Sequence, residues 1–504
     1  MITNPIIPGF YPDPSVCRAG DSFYLVTSTF EYFPGVPLFH SRDMVNWEQI
    51  GHVLTRPGQL PLKGCPRPLG IFAPTIRCLD GRFYMVTTNT GPKAPDTPYG
   101  NFYVWTDDVT GEWSDPVWVD VPGIDPDLFV DDDGTAYFTS TGIRQVPVNL
   151  ETGELLGEVA TISKGSGGRF AEAPHVYKVG GTYYLMLAEG GTEGEHMVTI
   201  FRGPSPSGPW EECPHNPILS HRSRMSPIRA TGHADIIEGP EGRWWMVFLG
   251  IRASVYPEVH HLGRETFLAP MRWEDGWPII NEGDVVPLAL DVPGVPDSRP
   301  VWTSCPDDFN GDKWGFSWNF LRNPDPELYD RTTRPGWLGL TCAPICIDQV
   351  AAPAWAGQRL RHFNVHTETL LDFEPRHAGE EAGMTAYMAE THHYAIMVRK
   401  SGDERVLVAR RRVGTLAHEE PPISLPSGPV GLFIDADPDW FSLGYVDNNG
   451  QRIEMVRGET RLLSKEVAGG FTGVYIALFA QAGNEQQEPS TAWFDSFDYT
   501  ILDE

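Results

Sequence analysis

Three carboxylates, one imidazole and one aromatic ring recur at one position of a repeated pattern. Their types and spacing are what could do chemistry in this chain. They are Asp13, Phe72 beside Ala73, Asp125, Glu172 and His233, each at or just before a short tetrad. The tetrads read Asp13-Pro14-Ser15-Val16, Ala73-Pro74-Thr75-Ile76, Asp125-Pro126-Asp127-Leu128, Ala173-Pro174-His175-Val176 and Ala234-Asp235-Ile236-Ile237. Three acids gathered in one pocket repel one another, so at least one holds its proton to higher pH. A protonated acid beside an ionised one is what glycoside hydrolysis requires: one donates to the leaving oxygen, the other activates water or attacks the sugar. A third acid can hold the donor's pKa up by repulsion. Singly, each has a plainer reading. Asp13 before Pro14 reads as a turn acid, Asp125 and Asp127 as loop carboxylates, and Glu172 as a cap for a backbone group. The shared register favours the pocket.

The elements that must position these residues repeat as well. After each tetrad comes a Gly-containing turn, then an aromatic, then an apolar run, as in Asp80-Gly81-Arg82-Phe83-Tyr84-Met85-Val86. The aromatic falls at Tyr24, Tyr84, Tyr137, Tyr184 and Trp245, which lie 11, 11, 12, 11 and 11 residues after the tetrad starts. Each unit reads as a β-hairpin whose turn needs the positive φ that glycine supplies. Five all-β repeats of about 50 residues predict a five-bladed propeller, with the first strand of each blade lining the central channel. Pro is tolerated at the start of such a strand, where the missing N–H costs little. That geometry brings the five candidate positions to one axis.

The remaining composition narrows the function classes. The chain has 504 residues, with 38 Lys and Arg against 67 Asp and Glu, a net charge of −29. Such a balance argues against nucleic-acid and anionic-membrane partners. No apolar run is long enough for a transmembrane helix, and the start lacks a signal-peptide pattern. The expected location is the cytoplasm, with seven cysteines expected to be reduced and mostly buried. Asp131-Asp132-Asp133-Gly134 lacks the spacing of a calcium loop and reads as a hairpin turn. Gly165-Ser166-Gly167-Gly168 lacks the lysine of a phosphate loop and reads as pocket rim. His260-His261 reads either as surface or as within reach of the site.

Motifs along the first half resemble glycoside hydrolase family 43. They include Asn4-Pro5-Ile6-Ile7-Pro8-Gly9-Phe10-Tyr11-Pro12-Asp13-Pro14-Ser15, Ser28-Thr29-Phe30-Glu31-Tyr32-Phe33-Pro34-Gly35, Ala171-Glu172-Ala173-Pro174-His175, Thr231-Gly232-His233-Ala234-Asp235 and Leu262-Gly263-Arg264-Glu265-Thr266. The resemblance is to the β-xylosidase and α-L-arabinofuranosidase branch with a C-terminal β-sandwich. It implies that Asp13 is the general base, Glu172 the general acid, and Asp125 the acid that raises and orients the donor. It implies an inverting reaction, hence a separation of roughly 6.5–9.5 Å between the Asp13 and Glu172 carboxyls. It implies sugar contacts from Phe30, Thr192 and Arg264, and a channel role for His233. Phe72 stands where relatives often have Trp.

Beyond a Pro-rich stretch the repeat stops and apolar runs alternate with turns, among them a hairpin signal at Asp447-Asn448-Asn449-Gly450. The expected fold is therefore all-β: a five-bladed propeller over 1–295, a linker over 296–306 and a β-sandwich over 307–504. The run Phe471–Phe479 reads as a strand. The resemblance instead makes Phe471 an aromatic that closes the pocket, so both readings stand. The expected function is an exo-acting, inverting glycosidase that releases terminal β-D-xylose or α-L-arabinofuranose from small oligosaccharides. The alternatives are an endo-acting arabinanase with an open groove and a non-catalytic sugar-binding propeller. No cofactor is required, with Ca²⁺ held through water near His233 left open. Homo-oligomerisation is likewise left open.

Overall fold

The computed structural model describes residues 1–93, 98–254, 256–298, 306–485 and 487–502. Cys305 and most of the 296–306 stretch lie outside the described residues. Five four-stranded antiparallel sheets follow one another along the chain. Their first strands are Ser15–Ala19, Thr75–Leu79, Asp127–Val130, Glu172–Val179 and Ile228–Glu238. These strands contact one another in a ring, blade to blade. The repeated aromatics lie in the second strands, where Tyr24 pairs with Cys17, Tyr84 with Arg77 and Tyr184 with Tyr177. The ring is tied shut where Ile2–Thr3 pairs with Ala289–Leu290.

The blades adhere through apolar clusters between sheets. One, containing Leu25, Phe39, Met246 and Phe267, joins the first, fourth and fifth blades. Another, containing Val26, Leu38, Met85 and Phe102, joins the first and second. Each buried side chain of this size contributes about 1.5–3 kcal/mol.

The second domain is two packed sheets of eight strands each, one of which a propeller strand extends to nine. The two halves share a sheet: Tyr32–Phe33 of the propeller adds to the sandwich strand Trp318–Leu321 through Phe33↔Phe320 and Tyr32↔Leu321. An apolar cluster containing Phe10, Phe30, Tyr32, Trp355 and Tyr475 fills the junction. The run read as one strand over Phe471–Phe479 is observed as Tyr475–Gln481, which leaves Phe471 in the loop before it. Asp447–Gly450 forms the expected hairpin turn, and Asp131–Gly134 is a turn whose acids pair with Lys178. Six free cysteines are described. Among the described residues no helix is long and apolar enough to cross a membrane.

Candidate active site

The first strands begin around a cavity of about 420 Å³ on the propeller axis. Asp13, Asp125 and Glu172 line it, and so do Phe30, Phe72, Ala73, Thr192, His233, Arg264 and Phe471. The backbone is bent to bring them there. Asp13, Asp125, Ala173 and His233 have φ of 56°, 53°, 46° and 43°. That region costs a non-glycine residue on the order of 1–3 kcal/mol and persists where the surroundings over-determine it. Register shifts between Glu172 and His175, and on both sides of Gly232, re-aim the fourth and fifth strands. Gly232 has no room for a side chain, because a Cβ there would lie 2.3 Å from the His196 ring. At Gly70 a Cβ would lie 2.2 Å from the Phe30 carbonyl oxygen, so glycine lets these two loops meet.

The acids are driven apart in proton affinity. Burial by itself would raise Asp13, yet its carboxyl is held below the usual carboxylate range, chiefly by Arg264. Arg264 Nη1 donates to Oδ1 at 2.8 Å and Nη2 to Oδ2 at 3.4 Å, while Ser28 Oγ donates to Oδ2 at 2.5 Å. His233 Nδ1 stands 3.6 Å from Oδ1. Burial pushes His233 down to about 4, so at neutral pH it is uncharged and Arg264 supplies the positive charge. Glu172 is raised to about 7 by burial and then by Asp13. Asp125 is raised well above the usual carboxylate range by burial, then by Glu172 and Asp13. Asp125 and Glu172 titrate together and retain a proton between them at neutral pH, while Asp13 is ionised.

One wall is aromatic. The Phe30 centroid lies 5.1 Å from Phe72 and 5.4 Å from Phe471, and the Arg264 guanidinium sits 5.5 Å from the Phe471 ring centre. Phe471 reaches the site from the sandwich on a loop held by the propeller. Arg67 Nη1 donates to the Ala468 carbonyl at 3.2 Å, and Nη2 donates to the Gly469 carbonyl at 2.7 Å and Thr472 Oγ1 at 3.3 Å. The Pro-rich loop around Cys65 thus serves as an anchor for the lid. His260 and His261 are neither on the surface nor in the pocket. His260 Nδ1 lies 2.7 Å from Glu466 Oε1, and the His261 carbonyl accepts from the Val474 amide, so both fix the same sandwich segment.

Sequence reasoning missed several lining residues. Arg169, Phe170, Glu193 and His196 also face the cavity. Arg169 pairs with Glu193 at 3.2 Å, and Phe170 is 60% exposed at the rim. Both Arg169 and Phe170 directly precede the Ala171-Glu172 motif, and that adjacency was the available signal.

The channel below the pocket is filled by an internal cation. Arg77 Nη1 lies 2.8 Å from Asp235 Oδ2 and Nη2 lies 3.0 Å from Asp127 Oδ1. Ser15 Oγ and Tyr177 Oη also donate to Asp235, each at 2.7 Å. His175 Nδ1 is 3.2 Å from Asp127. Side chains from all five blades thus meet on one guanidinium. The carboxylates nearest this level are committed to Arg77, and no cluster of three metal-ligating residues occurs among the described residues. At this level the carboxylates serve Arg77, and beside His233 the Asp13 carboxylate serves Arg264.

Comparison with known proteins agrees with the geometry. A family model described as glycosyl hydrolases family 43 matches residues 2–278, and one described as beta xylosidase C-terminal concanavalin A-like domain matches residues 306–500. The chain is 40% identical to the non-reducing end alpha-L-arabinofuranosidase of Bacteroides ovatus, over 99% of this chain and 95% of that protein. It is 35% identical to a xylosidase/arabinosidase of Butyrivibrio fibrisolvens, over 97% of each. A solved structure of xylan beta-1,4-xylosidase from Bacillus halodurans superposes with a TM-score of 0.93 at 31% identity, covering 99% of this chain and 100% of that one. With a family model spanning nearly the whole propeller and relatives matched nearly end to end, the chain belongs to glycoside hydrolase family 43 and is a glycosidase.

Proposed function

We propose that this glycosidase is exo-acting and inverting, and that it releases terminal β-D-xylose or α-L-arabinofuranose from short oligosaccharides. The observation that carries this reading is the split between Asp13, held ionised by Arg264, and Glu172, raised to about 7 in the same pocket. That split assigns a base and an acid. Asp13 takes a proton from a water, whose oxygen bonds to the anomeric carbon. The bond from that carbon to the leaving oxygen breaks, and Glu172 gives the leaving oxygen its proton. Asp125, the third acid of the pocket, orients that donor. The Phe471 lid supports action at chain ends, since a walled pocket excludes a chain running through it. The relatives named for arabinofuranose and for xylose support both terminal pentoses. Arg77 supplies the channel's positive charge, so no metal is required.

Time courses on end-labelled xylo- and arabino-oligosaccharides test the reading. The expected first products are the free pentose and the oligosaccharide one sugar shorter, in equal amounts. Early release of fragments of intermediate length would point to an endo-acting enzyme. A Glu172→Ala variant with full activity on unactivated oligosaccharides would remove the acid assignment, and wild-type protein that binds but never cleaves would leave a sugar-binding propeller.

A further inference from the structure

Glu189 is a fully buried carboxyl that the mechanism above does not use. It ends the strand Thr182–Glu189, next to Ala188, which pairs with Glu172. Side chains alternate across a strand, so Glu172 faces the cavity while Glu189 points behind it, and Glu189 is not among the cavity's lining residues. Its oxygens are turned to protein partners. Thr199 Oγ1 donates to Oε2 at 2.6 Å, and the Ser166 amide is shared between Oε1 at 3.2 Å and Oε2 at 3.4 Å. No ion pair offsets this burial among the described residues. Burying a carboxyl is costly, and such a group calls for a reason.

Its partners show what it holds. Ser166 belongs to Gly165-Ser166-Gly167-Gly168, the loop that leads into Arg169, Phe170 and Glu172. The loop wraps the carboxyl tightly. A Cβ at Gly165, where φ is +64°, would lie 2.6 Å from Glu189 Oε1, and one at Gly168 would lie 3.3 Å from the Glu189 Cβ. The positive φ and the close approach together select glycine at 165. Beside this contact the Gly190 amide donates to the Arg169 carbonyl at 2.8 Å, and Arg169 Nε donates to the Gly190 carbonyl at 2.9 Å. Ser166 to Phe170 are themselves exposed, which leaves the Glu189 clamp as the loop's buried hold, just ahead of Glu172 in the chain.

We propose that Glu189 is a positioning residue for the reaction: by clamping the 165–170 loop it sets the direction from which Glu172 reaches the leaving oxygen. The proposal rests on the reading of Glu172 as general acid and deepens it. Without the clamp the loop loosens, Glu172 samples directions away from the leaving oxygen, and proton transfer to that oxygen lags behind cleavage of its bond to the anomeric carbon. The loss then scales with how much the leaving group needs the proton. A departing sugar alkoxide is strongly basic and needs it fully, whereas a dinitrophenolate leaves with little help.

The test compares kcat/KM on the disaccharide of the preferred pentose with kcat/KM on its dinitrophenyl glycoside. In Glu189→Ala the disaccharide value should fall roughly tenfold or more, a part of the roughly 10²–10⁴-fold that a general acid supplies, while the dinitrophenyl value falls less than about threefold. Glu189→Gln keeps an acceptor for the Ser166 amide and should restore most of the disaccharide rate. Gly165→Ala pushes the loop off the carboxyl from the other side and should lower the same ratio; it decides the matter if Glu189→Ala does not fold. Equal losses on the two substrates, or an unchanged ratio, would overturn the positioning role. Glu172→Ala is the reference and should show the same selective loss, larger. If it does and the Glu189 and Gly165 variants do not, the clamp alone falls. If Glu172→Ala loses both substrates equally, the acid reading falls and the clamp with it.

Discussion

In the proposed mechanism Arg264 keeps Asp13 ionised for its role as base, and replacing it with Met isolates that role. The two guanidinium contacts to Asp13 are 2.8 and 3.4 Å in a buried pocket. At an effective dielectric near 20, opposite unit charges about 4 Å apart interact by roughly 4 kcal/mol, and each 1.36 kcal/mol corresponds to about one pH unit. Opposite-charge neighbours shift carboxyls by about 1–3 units. Without Arg264, burial is opposed only by smaller influences, chiefly His233 and the Ser28 hydrogen bond. The acidic limb of the kcat/KM profile should therefore move up by about 1–3 pH units in Arg264→Met. Arg264 also lowers Glu172, so the alkaline limb should move up too, and Arg264→Lys should fall between. Stability follows the same sign. In the wild type the depressed Asp13 pKa contributes stability above the unfolded carboxyl's pKa, lost as pH falls through the lower folded value. In the variant the folded pKa is raised instead, so stability falls as pH rises. The deficit, about 3–5 kcal/mol for an unpaired buried charge, should be largest at neutral pH and shrink in acid. The assay is a pH–rate series with a thermal melt at each pH. A folded Arg264→Met enzyme whose limbs stay at wild-type positions would refute the reasoning.

Phe471→Ala removes ring contacts to Phe30 and Phe72, so KM for short substrates should rise about tenfold, the scale of an aromatic contact. Arg67→Ala frees the same loop and should act in the same direction, with the double variant less than additive in steady-state kinetics. Glu31 is fully buried behind Phe30, with its Oε2 unpaired and Arg67 Nε 3.7 Å from Oε1. Burial raises it from 4.5 to about 7. A raised carboxyl contributes stability below its unfolded pKa that is lost as pH rises to the folded value. Glu31→Gln should therefore remove about 3 kcal/mol of that pH dependence from denaturant unfolding curves. Chelator dialysis should leave kcat/KM unchanged, because Arg77 supplies the channel cation; activity lost to chelator and restored by Ca²⁺ would contradict that.

The propeller was legible because every blade repeats the same tetrad, turn and aromatic. The outermost strands were not, since Ala160–Thr161 and Glu211–Glu212 are two exposed residues each and carry no alternation. The meeting of Asp13, Asp125 and Glu172 in one cavity was legible because they stand at one register. Arg77 was not: an arginine within a strand looks like a solvent-facing residue, and only five-fold convergence turns it into the channel's hub. Arg67 sits in a Pro-rich loop without periodicity, and its partners are backbone carbonyls some 400 positions away. His260 and His261 show the same limit, since their partners lie in the sandwich, beyond any local pattern. Phe471 could be read as strand or lid because its neighbouring glycines fit both a strand end and a loop.

The central claim is that Glu172 protonates the leaving oxygen while Asp13 activates water on the opposite face of the sugar. Proton NMR of the first-formed sugar tests it most directly, with aryl β-D-xyloside and aryl α-L-arabinofuranoside followed side by side from mixing. The account predicts α-D-xylose and β-L-arabinofuranose, the inverted anomers, before mutarotation. First appearance of the retained anomer would mean that a carboxylate attacks the sugar, and would contradict the roles given to both residues.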